Sequence, residues 1–142
     1  MRKLIAFVAV SCCVVFAGSH YANAATLSVD PKNSCFDLTT NKLSGTIPPY
    51  PAYLALPNGL YTASMTSTAN LGGSLGAVDK VYFYVQTPNR PFSSLNIIST
   101  VNRNNFAVKG DGTHFQNGVT AFIVDSNCAD NTGTITMTIT PR

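Results

Sequence analysis

The stretch AFIVDSNCADNTGTITMTI, from Ala121 to Ile139, decides how the chain is read. Ala121 to Val124 is an apolar run that ends at Asp125, and a short polar loop follows. The chain then leaves the loop in strict alternation, with Thr134, Thr136, Thr138 and Thr140 interleaved with Ile135, Met137 and Ile139. A period of two puts the threonines on one face of a strand and the apolar residues on the other. Two strands joined by a loop rich in Asp, Asn and Gly are the pattern of an antiparallel sheet.

The same pattern recurs outward along the chain, and sustained helical periodicity with caps is missing. Strands are expected at Thr26–Asp30, Lys42–Ile47, Gly59–Thr66, Lys80–Gln86, Ser94–Thr100, Asn105–Lys109, Val119–Asp125 and Thr134–Thr140. Clusters of Gly, Pro, Asn and Asp separate them. About eight short strands in one small domain predict an all-β fold: an antiparallel two-sheet sandwich, jelly-roll or Ig-like in topology. The run Val81-Tyr82-Phe83-Tyr84-Val85 does not alternate, so both of its faces are expected to be covered.

The N-terminus reads as a signal peptide over residues 1–24. Arg2 and Lys3 precede an apolar stretch from Leu4 to Ala17, and Ala22-Asn23-Ala24 is a small-x-small cleavage site. The apolar stretch is shorter than the roughly 20 residues of a membrane span, so no span is expected in the mature chain. Cys12 lacks the leucine that a lipobox prefers three positions upstream, where Ala9 stands. The expected location is therefore outside the cytoplasm, periplasmic or extracellular, with residues 25–142 forming a single β-sandwich domain.

That domain carries seven Lys and Arg residues, six Asp and no Glu, for a net charge near +1. Without a basic run, nucleic acid is not an expected partner. Cys35 and Cys128 are the cysteines that remain after cleavage, and an even count in an exported chain predicts one disulfide between them. It would tie the N-terminal part of the domain to the loop after Asp125.

Few groups suited to catalysis are present. No Gly-x-Ser-x-Gly, His-Glu-x-x-His or phosphate-binding glycine loop occurs, and His114 is the single histidine of the mature chain. A non-catalytic protein is expected. What stands out is the loop itself: Asp125, Asn127, Asp130 and Asn131 place two carboxylates and two amides within seven positions. Calcium takes six to eight hard oxygen ligands of these kinds, together with backbone carbonyls, such as those of residues 126–129. The alternative is a hairpin turn and nothing more, because Asp, Asn and Gly are also ordinary turn residues. Tyr50 and Tyr53, in and beside a proline-rich segment, are the best exposed aromatic candidates for ligand contact, with capping of the sandwich as their other role.

The stretch from Ala121 to Ile139 resembles the C-terminal end of the calcium-dependent, galactose-binding bacterial lectins of the PA-IL type. The matching features are Asp125, the Asp130-Asn131 pair, Thr132-Gly133 and the alternating strand after them. The resemblance implies a small β-sandwich, calcium as cofactor, and metal-ligand roles for Asp125, Asp130 and Asn131. It places a further carbonyl ligand of that family in the Ser67–Gly73 stretch. Two departures stand beside it: the interval from Asp125 to Gly133 is shorter, and Cys128 lies within the loop. Two functions follow as expectations. One is an exported, calcium-dependent carbohydrate-binding module, with Asn127, Tyr50 and Tyr53 contacting the ligand. The other is an exported structural or adhesive subunit that acts through protein–protein contacts. Either admits an oligomer, since shallow sites gain from avidity.

Overall fold

A computed structural model describes residues 23–44, 52–73, 76–87, 90–109 and 117–142. The expected signal peptide, Tyr50 and His114 lie outside these residues. The described chain is built of strands, with a single 3-10 turn. They are β1 (Ala25–Val29), β2 (Cys35–Asp37), β3 (Lys42–Ser44), β4 (Ala52–Ala55), β5 (Gly59–Ser67), β6 (Lys80–Thr87), β7 (Arg90–Ser99), β8 (Asn104–Val108), β9 (Gly118–Asp125) and β10 (Ile135–Pro141). One sheet has the order β1-β10-β5-β8; the other runs β3-β2-β9-β6-β7, with β4 also paired to β9. No helix among the described residues is long and apolar enough to cross a membrane.

The alternation of β10 becomes the inner face of the first sheet. Ile135, Met137 and Ile139 are fully buried, and Thr136 and Thr138 lie between them on the half-exposed side. β1 and β5 flank β10 with antiparallel registers that align Leu27 and Met65 with Met137. From the other sheet, Val81, Phe83, Val85, Val119, Ala121 and Ile123 supply the facing layer of the core. Burying each aliphatic or aromatic side chain of this kind contributes about 1.5–3 kcal/mol.

β9 is the strand that fixes the site. β6 runs along one side of it, while β4 and then β2 share the other. With neighbours on both sides, all of its residues but Val124 are buried, and Asp125 closes it at the sandwich end. The β2–β9 pairing is parallel and sets Cys35 opposite Ile123 and Asp37 opposite Asp125. All other ladders are antiparallel.

Two expectations are corrected in detail, and a third runs on outside the described residues. Ten strands are present where eight were expected, because β2 and β4, of three and four residues, are too short to show a period. The predicted Lys42–Ile47 strand is described only as far as Ser44. The run from Val81 to Val85 is covered unequally on its two faces: Val81, Phe83 and Val85 are buried, whereas Tyr82 and Tyr84 are half-buried on the outer face. Tyrosine accommodates that position, with an apolar ring against the sheet and a hydroxyl at its tip.

The disulfide joins Cys35 of β2 to Cys128, with the Cα atoms 5.9 Å apart. A turn anchored by Asp30 delivers Cys35. Asp30 Oδ1 accepts from the backbone N–H groups of Lys32 and Asn33, and Oδ2 accepts from Asn33 Nδ2. Burial pushes this carboxyl up, but the Asn33 and Lys32 donors and the Lys32 ammonium outweigh it and hold the group below its ordinary value of 3.8.

Two outcomes follow. Closing a loop of 94 residues is worth about 4–5 kcal/mol in the chain-entropy model, with 2–5 kcal/mol the usual measured range. Reduction, or Cys35→Ser with Cys128→Ser, should lower the urea-unfolding free energy by that amount. The lowered Asp30 group binds its proton more readily in the unfolded chain. Its contribution is therefore complete above pH 3.8 and disappears as the pH falls through the lower folded value. Asp30→Asn should make the acid-side fall in the urea midpoint, measured between about pH 4 and pH 2, shallower than in the parent.

Candidate functional site

β9 ends at a cleft of about 200 Å³ lined by Leu71, Gly72, Gly73, Asp125, Ser126, Asn127 and Asp130. Three of the four polar loop residues thus meet at one place, and the Leu71–Gly73 backbone meets them there. Asp125 is only 4% exposed, held by the β9 ladder. Its Oδ1 accepts from the backbone N–H of Ser126 at 2.6 Å, and its carbonyl accepts from Leu38 N–H at 2.8 Å. Among the described residues, no cation pairs with Asp125 or with Asp130.

The chain leaves Asp125 through a turn built by local polar groups. Ser126 O accepts from the Thr39 hydroxyl at 2.7 Å. Asn127 is the N-cap of the 3-10 turn Cys128–Asp130, its side-chain oxygen accepting from Ala129 N–H at 3.4 Å. Cys128 at the start of the turn is tied to β2, and Asp130, exposed at the end of the turn, lines the same cleft as Asp125. Asp37, opposite Asp125 in register, is engaged elsewhere: its Oδ1 accepts from the N–H groups of Thr39 and Thr40.

The second wall comes from the loop after β5. Asn70 and Thr132 exchange backbone hydrogen bonds at 2.9 Å in both directions, Thr68 N–H donates to Thr134 O, and Leu71 N–H donates to Gly76 O. These bonds lay Leu71–Gly73 beside Asp130. The closeness demands glycine at position 72. Its φ is +45°, and a Cβ there would lie 2.7 Å from each carboxylate oxygen of Asp130. The Ser67–Gly73 stretch, where the resemblance puts a carbonyl ligand, therefore does reach the cleft.

Asn131 takes a different place. It is 2% exposed and is not on the cleft wall. Its Nδ2 donates to Pro31 O at 3.0 Å and to Cys35 Sγ at 3.6 Å. The amide cannot be turned round, since its oxygen would then face the Pro31 carbonyl. Its buried Oδ1 has no partner among the described residues. The ligand role expected for Asn131 thus gives way to an anchoring role for its nitrogen, with one acceptor oxygen left over. A satisfied core asparagine and a ligand asparagine look alike in sequence.

Tyr53 is not part of the cleft. It lies on β4, 41% exposed, and its hydroxyl donates to Asn117 O at 3.2 Å. Burial raises its phenol above the ordinary value. The contributions of Gly72 and Gly73 were hidden in sequence by a glycine-rich segment that reads simply as a loop; only the positive φ and the contact with Asp130 reveal them.

The donor set is hard oxygen throughout: two carboxylates, an amide and backbone carbonyls within reach of one cleft. No group of three or more His, Cys, Asp or Glu side chains able to hold a metal occurs among the described residues, so amides and carbonyls would have to complete any shell. The chain matches no family model, and no curated protein is significantly similar to it.

The Gly72–Asp130 contact gives a direct check. Gly72→Ala introduces both a strained φ and a clash, at a cost on the order of 1–3 kcal/mol. Its urea midpoint should fall accordingly. Gly73→Ala, also at positive φ but with open space around its Cβ, should cost less.

Proposed function

We propose that the protein is an exported, non-catalytic binding module that holds calcium at the cleft after β9 and, through it, a carbohydrate. The observation that carries this reading is the meeting of Asp125 and Asp130 in one cleft without a cation beside them among the described residues. Asp125 is buried with a hydrogen bond from Ser126 N–H to one oxygen, and a buried carboxylate satisfied only in part is costly to maintain. Two carboxylates sharing a cleft also repel, and a divalent ion relieves both costs at once.

The residues fit such an ion. Asp125 and Asp130 would supply charge, Asn127 an amide oxygen, and the Leu71–Gly73 backbone neutral carbonyls of the kind calcium accepts. A calcium held in an open cleft keeps positions for outside ligands, and vicinal sugar hydroxyls are hard neutral oxygens suited to them. The protein's part is to hold the acidic residues close before the ion arrives, so that little ordering is needed on binding. Export is supported by the N-terminal sequence and is consistent with the Cys35–Cys128 disulfide.

A second reading, the structural or adhesive subunit, draws on the exposed apolar side chains Leu95 and Ile97 of the outer sheet face. Calcium separates the two. A ligand that binds only the folded state stabilises by about 2.7 kcal/mol at a hundred times its dissociation constant, or a rise in Tm on the order of 10 °C for a domain of this size. The disulfide-bonded protein should show that rise in calcium relative to chelator, and Asp125→Asn and Asp130→Asn should each remove it. A Tm indifferent to calcium rejects the proposal. Given a shift, a glycan array run with calcium and with chelator should show calcium-dependent signal. A shift without such signal reduces the ion to a structural one.

A further inference from the structure

The cleft and the disulfide share one short segment of chain. Ser126 before it is held by the Thr39 hydroxyl, which donates to its carbonyl, and Asn131 after it is held through Pro31 O. Two internal hydrogen bonds of the segment are long: Ala129 N–H to Asn127 Oδ1 and Asp130 N–H to Asn127 O, both 3.4 Å. Among the described residues, no hydrogen bond ties residues 127–130 to a strand or to another loop, so the Cys35–Cys128 bond is what fastens them. That bond ends on β2, a strand of three residues paired to the equally short β3. Segments with so few bonds open locally at a free energy below that of global unfolding. Both sulfurs are buried, Cys35 at 0% and Cys128 at 2% exposure. A reducing thiolate must touch a sulfur to attack it. It gains that access only when the turn, or the end of β2 with it, parts from the sandwich.

An ion in the cleft would be a second clasp across the same segment. Asn127 and Asp130 lie on it, whereas Asp125 belongs to β9 and Leu71–Gly73 to the loop after β5. Resting on the calcium reading of the cleft, we propose that calcium and the disulfide are linked: the bound ion holds the segment shut, slows reduction of Cys35–Cys128 by dithiols and favours the oxidised form. Coupling between two equilibria is reciprocal, so the reduced protein binds calcium more weakly by the same factor. In the exchange, a thiolate of the dithiol attacks Cys128 Sγ, the S–S bond breaks, and Cys35 leaves as a thiolate that takes up a proton. The second thiol of the reagent then displaces Cys128, which leaves as a thiol, and the reagent ends as a cyclic disulfide oxidised by two electrons. Calcium enters only through access to the sulfur. With reclosing faster than attack, the reduction rate follows the open population. An ion that binds the closed form alone, at a hundred times its dissociation constant, lowers that population about a hundredfold.

The test is the rate at which dithiothreitol reduces the exported, disulfide-bonded protein without denaturant, read by thiol alkylation and mass, in calcium and in chelator. Saturating calcium should slow reduction at least tenfold in the parent, about a hundredfold at most at a hundred times the dissociation constant. Asp130→Asn should abolish the difference. In chelator the rate should change little over about 0–1 M urea, because local opening exposes little surface, whereas global unfolding carries the full slope of the equilibrium urea transition. Equal rates in calcium and chelator, for a protein whose Tm calcium does raise, overturn the coupling and leave the cleft reading standing. A rate that climbs with the full urea slope overturns it as well, since access to the sulfur then needs the whole domain to unfold. A Tm indifferent to calcium removes the cleft reading and the coupling together.

Discussion

The Cys35–Cys128 bond is the constraint on which the end of the sandwich depends. β2 is three residues long and could not hold its parallel place beside β9 by ladder hydrogen bonds alone. The disulfide fixes it there, and Asn131 adds a second tie by donating to Pro31 O and Cys35 Sγ. The Asp30 turn brings the chain to Cys35 from the other side. Once these three meet, the loop after Asp125 has little freedom: its middle is bonded to β2 and its end is anchored by a buried amide. The acidic residues on either side of Cys128 are drawn together as a consequence.

This arrangement explains how Asp125 and Asp130 come to line one cleft: covalent and buried constraints around Cys128 set the course of the loop between them. The glycine at position 72 completes the cleft because its missing side chain lets a second loop approach Asp130. The site is therefore made from three separate segments, the β5–β6 loop, the end of β9 and the turn after it.

Much of the architecture was legible because burial imposes a period. In β10 the threonines alternate with Ile135, Met137 and Ile139, which are fully buried, as the period of two in the sequence predicts. The disulfide was legible from the cysteine count. The Asp/Asn loop was legible as a cluster of oxygen donors, and three of its four members do converge. What failed was the assignment of Asn131, since an amide's role depends on which buried groups face it, and those come from Pro31 and Cys35, about a hundred residues away in the chain. The half-burial of Tyr82 and Tyr84 was not legible either, because an unbroken apolar run has no period from which to infer that its two sides differ in burial.

The sequence by itself determined that this is an all-β domain with a stapled loop rich in carboxylate and amide oxygens, because those properties follow from local alternation, composition and the pairing of two cysteines. Only the tertiary structure decided which residues share the cleft and that Gly72 and its neighbours form its second wall. The physical reason is the same in each case. Strand pairing at long range, including the parallel placement of β2 on β9, sets the neighbours of a side chain, and no local pattern encodes a neighbour that lies across the sheet.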